Sequence, residues 1–125
     1  MAIVLIVEDE FAISELLEAV LTDEGHLVLT AVNGRQGLER LAENPHPDLV
    51  ISDYMMPVLD GAGFIQAMRE TESHRDIPYI MMSSMPEAIV RTRIDGYVSF
   101  LHKPFQIADV APLVATILGA SRQKS

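Results

Sequence analysis

Side chains able to do chemistry stand at four separated points of the chain: Glu8 with Asp9, Asp53, Ser83 with Ser84, and Lys103. Adjacent carboxylates raise each other's pKa unless a cation neutralises them. Hard oxygen donors of this kind suit Mg²⁺, which takes few protein ligands and keeps positions for water and phosphate. An aspartate is a weak nucleophile, yet an aspartyl-phosphate is a recognised covalent intermediate. An ammonium and a cation beside it would stabilise charge on the phosphoryl oxygens. Each residue alone has a plainer reading. Glu8, Asp9 and Glu10 fit a solvated acidic helix start, Ser83 a small residue at a strand end, and Lys103 an exposed charge. The chemistry follows only if the fold brings the set together.

The hydrophobic pattern says that it does. Ile3–Val7 is a short uninterrupted apolar run, as in a strand covered on both faces. Ile13, Leu16, Leu17, Val20 and Leu21 then recur at the spacing of one helix face. Gly25 suits the left-handed position that closes such a helix. The alternation repeats with a strand at Leu27–Ala31, a helix at Gly34–Asn44 burying Leu38 and Leu41 and stopped by Pro45, and a strand at Asp48–Ser52 running into Asp53. The loop Tyr54–Gly61 leads to a helix with Phe64, Ile65 and Met68, then to a strand at Tyr79–Met82. A short helix over Pro86–Thr92, a strand at Val98–His102 and a stripe at Val110, Leu113, Val114, Ile117 and Leu118 complete the chain. Pro112 would cost a hydrogen bond deep in a helix. The last helix therefore starts late, with Asp109 as N-cap and Pro112 in its first turn, or it kinks.

Repeated strand–helix units imply a doubly wound parallel sheet, an α/β architecture with helices on both faces, because parallel strands need crossover connections. In such sheets ligands bind at the carboxyl ends of the strands, beside the point where strand order reverses. Every reactive residue named above stands just past a strand.

Composition narrows the function further. The 125 residues suit one domain, read as residues 1–119 with a polar tail at 120–125. The absence of cysteine removes disulfides, thiolate metal sites and thiol catalysis, and fits a cytoplasmic setting. A formal charge of −9 argues against direct nucleic-acid binding. No run of about 18 apolar residues and no signal peptide is present, so no membrane binding is expected.

The chain resembles a response-regulator receiver domain of two-component signalling, from Ile3 to about Leu118. The resemblance rests on Val7-Glu8-Asp9-Glu10, Asp53-Tyr54-Met55-Met56-Pro57-Val58-Leu59-Asp60-Gly61, Ile77-Pro78-Tyr79-Ile80-Met81-Met82-Ser83-Ser84 and Lys103-Pro104-Phe105, in this order and at these spacings. It implies a flavodoxin-like five-stranded sheet of order 2-1-3-4-5. It also implies a phosphoacceptor role for Asp53 and a Mg²⁺ held by Asp9, Asp53 and the Met55 backbone carbonyl, with Glu8 acting through water. Lys103 would contact the phosphoryl group, Ser83 would be the hydroxyl that moves to meet it, Phe100 the aromatic switch, and Pro104 a cis proline. The implied partners are a histidine kinase or histidine phosphotransfer protein, and an output protein or a further output domain.

Plainer readings stand beside these. Phe100 is equally a core aromatic, and the methionines read mainly as core and rim packing. His26, His46, His74 and His102 are expected near surface turns and strand ends. The short Ser83–Lys103 segment argues against the family's dimer through helix four, strand five and helix five. Met55 and Met85 hold the positions that influence attack by water, and being apolar they predict a long-lived phosphoryl group. A phosphorylation-independent interaction module on the same fold is the alternative. An aspartyl phosphatase of the haloacid-dehalogenase type is disfavoured, since it needs a second acid where Met55 stands. A flavodoxin would need a hydroxyl- and glycine-rich loop where Val7-Glu8-Asp9 stands.

Overall fold

The computed structural model describes residues 2–43 and 46–123. Five parallel strands, β1 (Ile3–Val7), β2 (Leu27–Ala31), β3 (Leu49–Asp53), β4 (Tyr79–Ser83) and β5 (Ser99–His102), form one sheet in the order β2-β1-β3-β4-β5. The helices are α1 (Phe11–Asp23), α2 (Gly34–Ala42), α3 (Gly61–Glu70), α4 (Glu87–Arg91) and α5 (Val110–Gln123). Strand alternation splits the core in two. Leu5, Val7, Val50 and Met81 meet Leu41, Phe64, Ile65, Met68 and Val90 on one face. Val4, Ile6, Ile51, Ile80 and Met82 meet Leu17, Leu21, Val110 and Val114 on the other. Each fully buried aliphatic side chain stabilises by about 1.5–3 kcal/mol, so both faces are covered and the strands read as continuous apolar runs.

The expected elements are all present, with shifts at their ends. β1 and β2 have the bounds read from the sequence, and α4 is a helix of 5 residues. α2 ends at Ala42, and the stop assigned to Asn44 and Pro45 lies outside the described residues. Gly25 has φ +90°, the left-handed conformation expected after α1. A single 3₁₀ turn, Ile107–Asp109, precedes α5 and puts Pro112 in that helix's first turn, so the late start holds. Helical backbone continues to Gln123, into the stretch read as a polar tail. Among the described residues no helix is long and apolar enough to cross a membrane.

Two expectations of burial fail. Leu16 is 51% exposed, although it shares the α1 stripe with buried Leu17 and Leu21. Its side of the helix faces an open groove beside the carboxyl end of the sheet. His74, expected near the surface, is buried in the loop after α3. Its ring lies edge-on to His46 with centroids 4.7 Å apart, and its Nε2 has no partner.

Burial and the neighbouring His46 hold the His74 imidazole below its ordinary pKa, against a hydrogen bond to the Leu41 carbonyl that pulls the other way. The unfolded chain therefore binds this proton more readily, and His74 costs stability as pH falls through the unfolded value near 6.5. Thermal melts of His74→Phe and wild type between pH 7.5 and 5 should show the variant gaining relative stability toward the acid end. A constant difference would show that His74 titrates as in the unfolded chain.

Candidate functional site

The sheet order decides which side chains meet. β1 pairs with both β2 and β3, so the chain winds away in opposite directions from the gap between β1 and β3. That gap is where ligands bind in doubly wound sheets. The register puts Val7 beside Ser52, Asp53 beside Met82, and Ser83 beside His102. Backbone pairing then continues one residue further at each end. Glu8 N–H donates to the Ala31 carbonyl at 3.0 Å, Tyr54 N–H to Met82 at 2.8 Å, and Lys103 N–H to Ser83 at 2.8 Å. Glu8, Asp53, Ser83 and Lys103 are thus fixed by the sheet itself and not by free loops.

Lys103 crosses the crevice. Its Nζ lies 2.7 Å from Glu8 Oε1, 3.1 Å from Asp53 Oδ1 and 3.5 Å from Glu10 Oε1. Glu8 is 1% exposed and Asp53 4%. Burial pushes the Glu8 carboxyl up to about 7, against the Lys103 hydrogen bond and the Glu10 N–H, which donates to Oε2 at 3.0 Å. Burial also raises the Asp53 carboxyl, with nearby Asp9 adding to the effect and Lys103 opposing it. Burial alone would lower Lys103, but the bond to Glu8 and the charge of Asp53 outweigh it and hold the ammonium above its usual range. The cation at this site therefore stays charged while its carboxylate partners resist ionisation.

One oxygen each from Glu8, Asp9 and Asp53 lie within 4.8 Å of one another, with Asp9 exposed to solvent. The structure brings together every acid singled out in the sequence. It also gives Glu8 a direct bond to Lys103. Ser83 is buried, and its Oγ accepts from Met85 N–H at 2.9 Å, so it faces its own turn. Phe100 is half-buried with its ring 5.7 Å from Tyr97. Met55 is 57% exposed and Met85 packs partly against the core. The Lys103-Pro104 bond is cis.

Sequence reading missed the contact of Glu10 with Lys103, although Glu10 stands in the quoted motif. It also missed a tie between Arg93 and Asp60, which are far apart in the chain and give no local signal. The exposed face of Leu16 becomes intelligible here. Ile13, Leu16, Phe105 and Ile107 line an apolar groove of about 360 Å³ that opens beside Glu10 and Lys103.

The Glu8 carboxyl offers a direct check. Its folded-state pKa stands above the unfolded 4.5, so its contribution to stability is present below 4.5 and is lost as pH rises toward 7. Carbon-detected NMR of the cation-free protein should show this carboxyl titrating near 7. Glu8→Gln should flatten the stability profile between about pH 4.5 and 7. A midpoint near that of an ordinary glutamate would show Glu8 to be solvated.

Comparison with known proteins gives one consistent result. Residues 4–115 match the model of the response regulator receiver domain. The chain is 35% identical over 120 residues to a probable chemotaxis protein CheY of Rhizobium etli, covering 94% of this chain and 92% of that protein. Transcriptional regulators are also matched, over about half of their own length. The receiver domain of a signal transduction histidine kinase from Syntrophus aciditrophicus superposes with a TM-score of 0.85 at 31% identity, covering 96% and 92% of the two chains. The receiver domain of the sensor histidine kinase PA1611 from Pseudomonas aeruginosa, solved with a magnesium ion in its active-site cleft, gives 0.81 at 27% identity, covering 94% and 98%.

Proposed function

Because the chain belongs to the response regulator receiver domain family of two-component signalling, we propose that it accepts a phosphoryl group on Asp53 from a histidine kinase or histidine phosphotransfer protein and thereby switches its protein contacts. One observation carries the reading: a single ammonium, Lys103, bonds the Asp53 carboxylate inside a crevice where three acids converge. Such burial of charge is costly and favours a site that uses it over a module that works without phosphorylation.

The donor set fits a hard divalent cation, being all oxygen, close-set and open to solvent through Asp9. Asp9, Asp53 and the Met55 carbonyl would hold Mg²⁺, with Glu8 behind them; the bound ion would neutralise charge on the phosphoryl oxygens. The relative solved with magnesium in its cleft supports that choice of metal. In the transfer an Asp53 carboxylate oxygen forms the new P–O bond. The P–N bond of the donor phosphohistidine breaks, and its electron pair returns to the imidazole. Lys103 remains charged and meets the phosphoryl oxygens. Ser83 turns from Met85 toward the new acceptors, and Phe100 packs into the space this leaves. The apolar groove beside Lys103 gives the donor protein a surface next to the reacting atoms. Chemistry ends with the domain's own phosphorylation and dephosphorylation, in a cytoplasmic switch whose output lies in another protein or domain.

Met55 and Met85 cannot orient a hydrolytic water, so the phosphoryl group should persist. Phosphotransfer from a cognate kinase should label wild type and fail with Asp53→Ala. Beryllofluoride with Mg²⁺ should bind wild type, and absence of binding would favour the phosphorylation-independent module. Met55→Asn should shorten the lifetime of the labelled protein several-fold. A decay rate unchanged in that variant would remove Met55 from the account.

A further inference from the structure

The loop from Tyr54 to Gly61 follows Asp53 directly and is under strain. Val58, a β-branched residue, sits at φ +71°. It forms the middle of a three-residue turn in which Leu59 N–H donates to the Pro57 carbonyl at 2.8 Å. Such turns are rare, and a non-glycine residue there persists only where its surroundings over-determine it. The loop also packs closely against the acceptor's backbone. Gly61 N–H donates to the Tyr54 carbonyl at 2.8 Å, and a Cβ on Gly61 would lie 2.3 Å from the Asp53 carbonyl oxygen. A shift of the loop therefore moves Asp53 and the Met55 carbonyl.

Arg93 reaches both ends of this loop from the segment after α4. Its Nη1 lies 2.9 Å from Asp60 Oδ2 and 3.4 Å from the Tyr54 hydroxyl. Its guanidinium carbon stands 5.7 Å from the centroid of the Tyr54 ring. Asp60 uses its other oxygen to cap α3, accepting from Gly63 N–H at 2.9 Å. Burial alone would raise the Asp60 carboxyl, but the Gly63 N–H and the Arg93 guanidinium hold it below the usual range. On the other side, Arg93 is flanked in sequence by buried Val90 and Ile94, which lock its backbone to the core under α4. The α4 helix is itself tied to the start of β5 through Glu87 and Arg91, both bonded to the Tyr97 hydroxyl.

We propose that Arg93 is a positioning residue for the phosphoacceptor loop, fixing it to the segment after α4, so that cation and phosphoryl-mimic binding at Asp53 depend on this tie. The inference rests on the receiver reading above and adds a residue, outside the quoted motifs, that holds the loop in place. Neither Arg93 nor Asp60 touches the reacting atoms.

Asn keeps an N-cap while losing the charge, so Asp60→Asn separates the tie from the helix end. Arg93→Gln, Asp60→Asn, the double variant and Arg93→Lys should be compared with wild type by Mg²⁺ titration calorimetry and beryllofluoride binding. Loss of one exposed ion pair and one ring contact should weaken binding about three- to tenfold in each single variant. The double variant should be no weaker than the worse single, and Arg93→Lys should recover part of the loss. Hydrogen exchange without any ligand should quicken at the Tyr54 and Gly61 amides in Arg93→Gln. Unchanged exchange there, unchanged affinity in both singles, or additive losses in the double variant would each overturn the inference. Wild type that binds neither Mg²⁺ nor beryllofluoride, with exchange still quickened in Arg93→Gln, would overturn the phosphoacceptor reading and leave the tie standing.

Discussion

One ammonium holds this structure's working end together. Lys103 lies between Glu8, Asp53 and Glu10, two of them almost wholly buried. Unpaired carboxylates at that depth would be costly by several kcal/mol each, and repulsion would push β1 and β3 apart where they must stay paired. The bond from Lys103 to Glu8 spans 95 residues, from the end of β5 to the end of β1. It therefore depends on β1, β3, β4 and β5 lying side by side with their carboxyl ends together.

That dependence explains what was legible in the sequence. Strand runs and helix stripes are local periodicities, so β1 and β2 could be bounded to the residue and α4 recognised as short. Asp53, Asp9, Ser83 and Lys103 were legible because each stands at or just beyond the carboxyl end of a strand, a position the pattern fixes. What failed was non-local. Leu16 fits the α1 stripe, yet the helix overhangs the end of the sheet there and has nothing to bury it. His74 looks like a loop residue, yet His46 arrives beside it from another connection. The Arg93–Asp60 pair joins residues separated by 33 positions, on a strength that only packing reveals.

The resting contacts also define what phosphorylation would have to change. Lys103 is already bonded to Glu8 and Asp53, and Ser83 already accepts from the Met85 backbone. A phosphoryl group brings roughly −1.5 to −2 charges and strong acceptor oxygens, so it would compete with Glu8 for Lys103, while Ser83 would have to swing its O–H donor toward it. Only the difference between the new and old bonds drives a change of state. The buried Glu8 sharpens that difference. With Lys103 drawn away, its carboxylate would remain in a site that resists its charge, and it would need the bound cation or a proton to stay there. Cation and phosphoryl group would thereby be linked through Glu8 as well as through Asp53, and the bonds Lys103 holds here would set how much binding energy the switch requires.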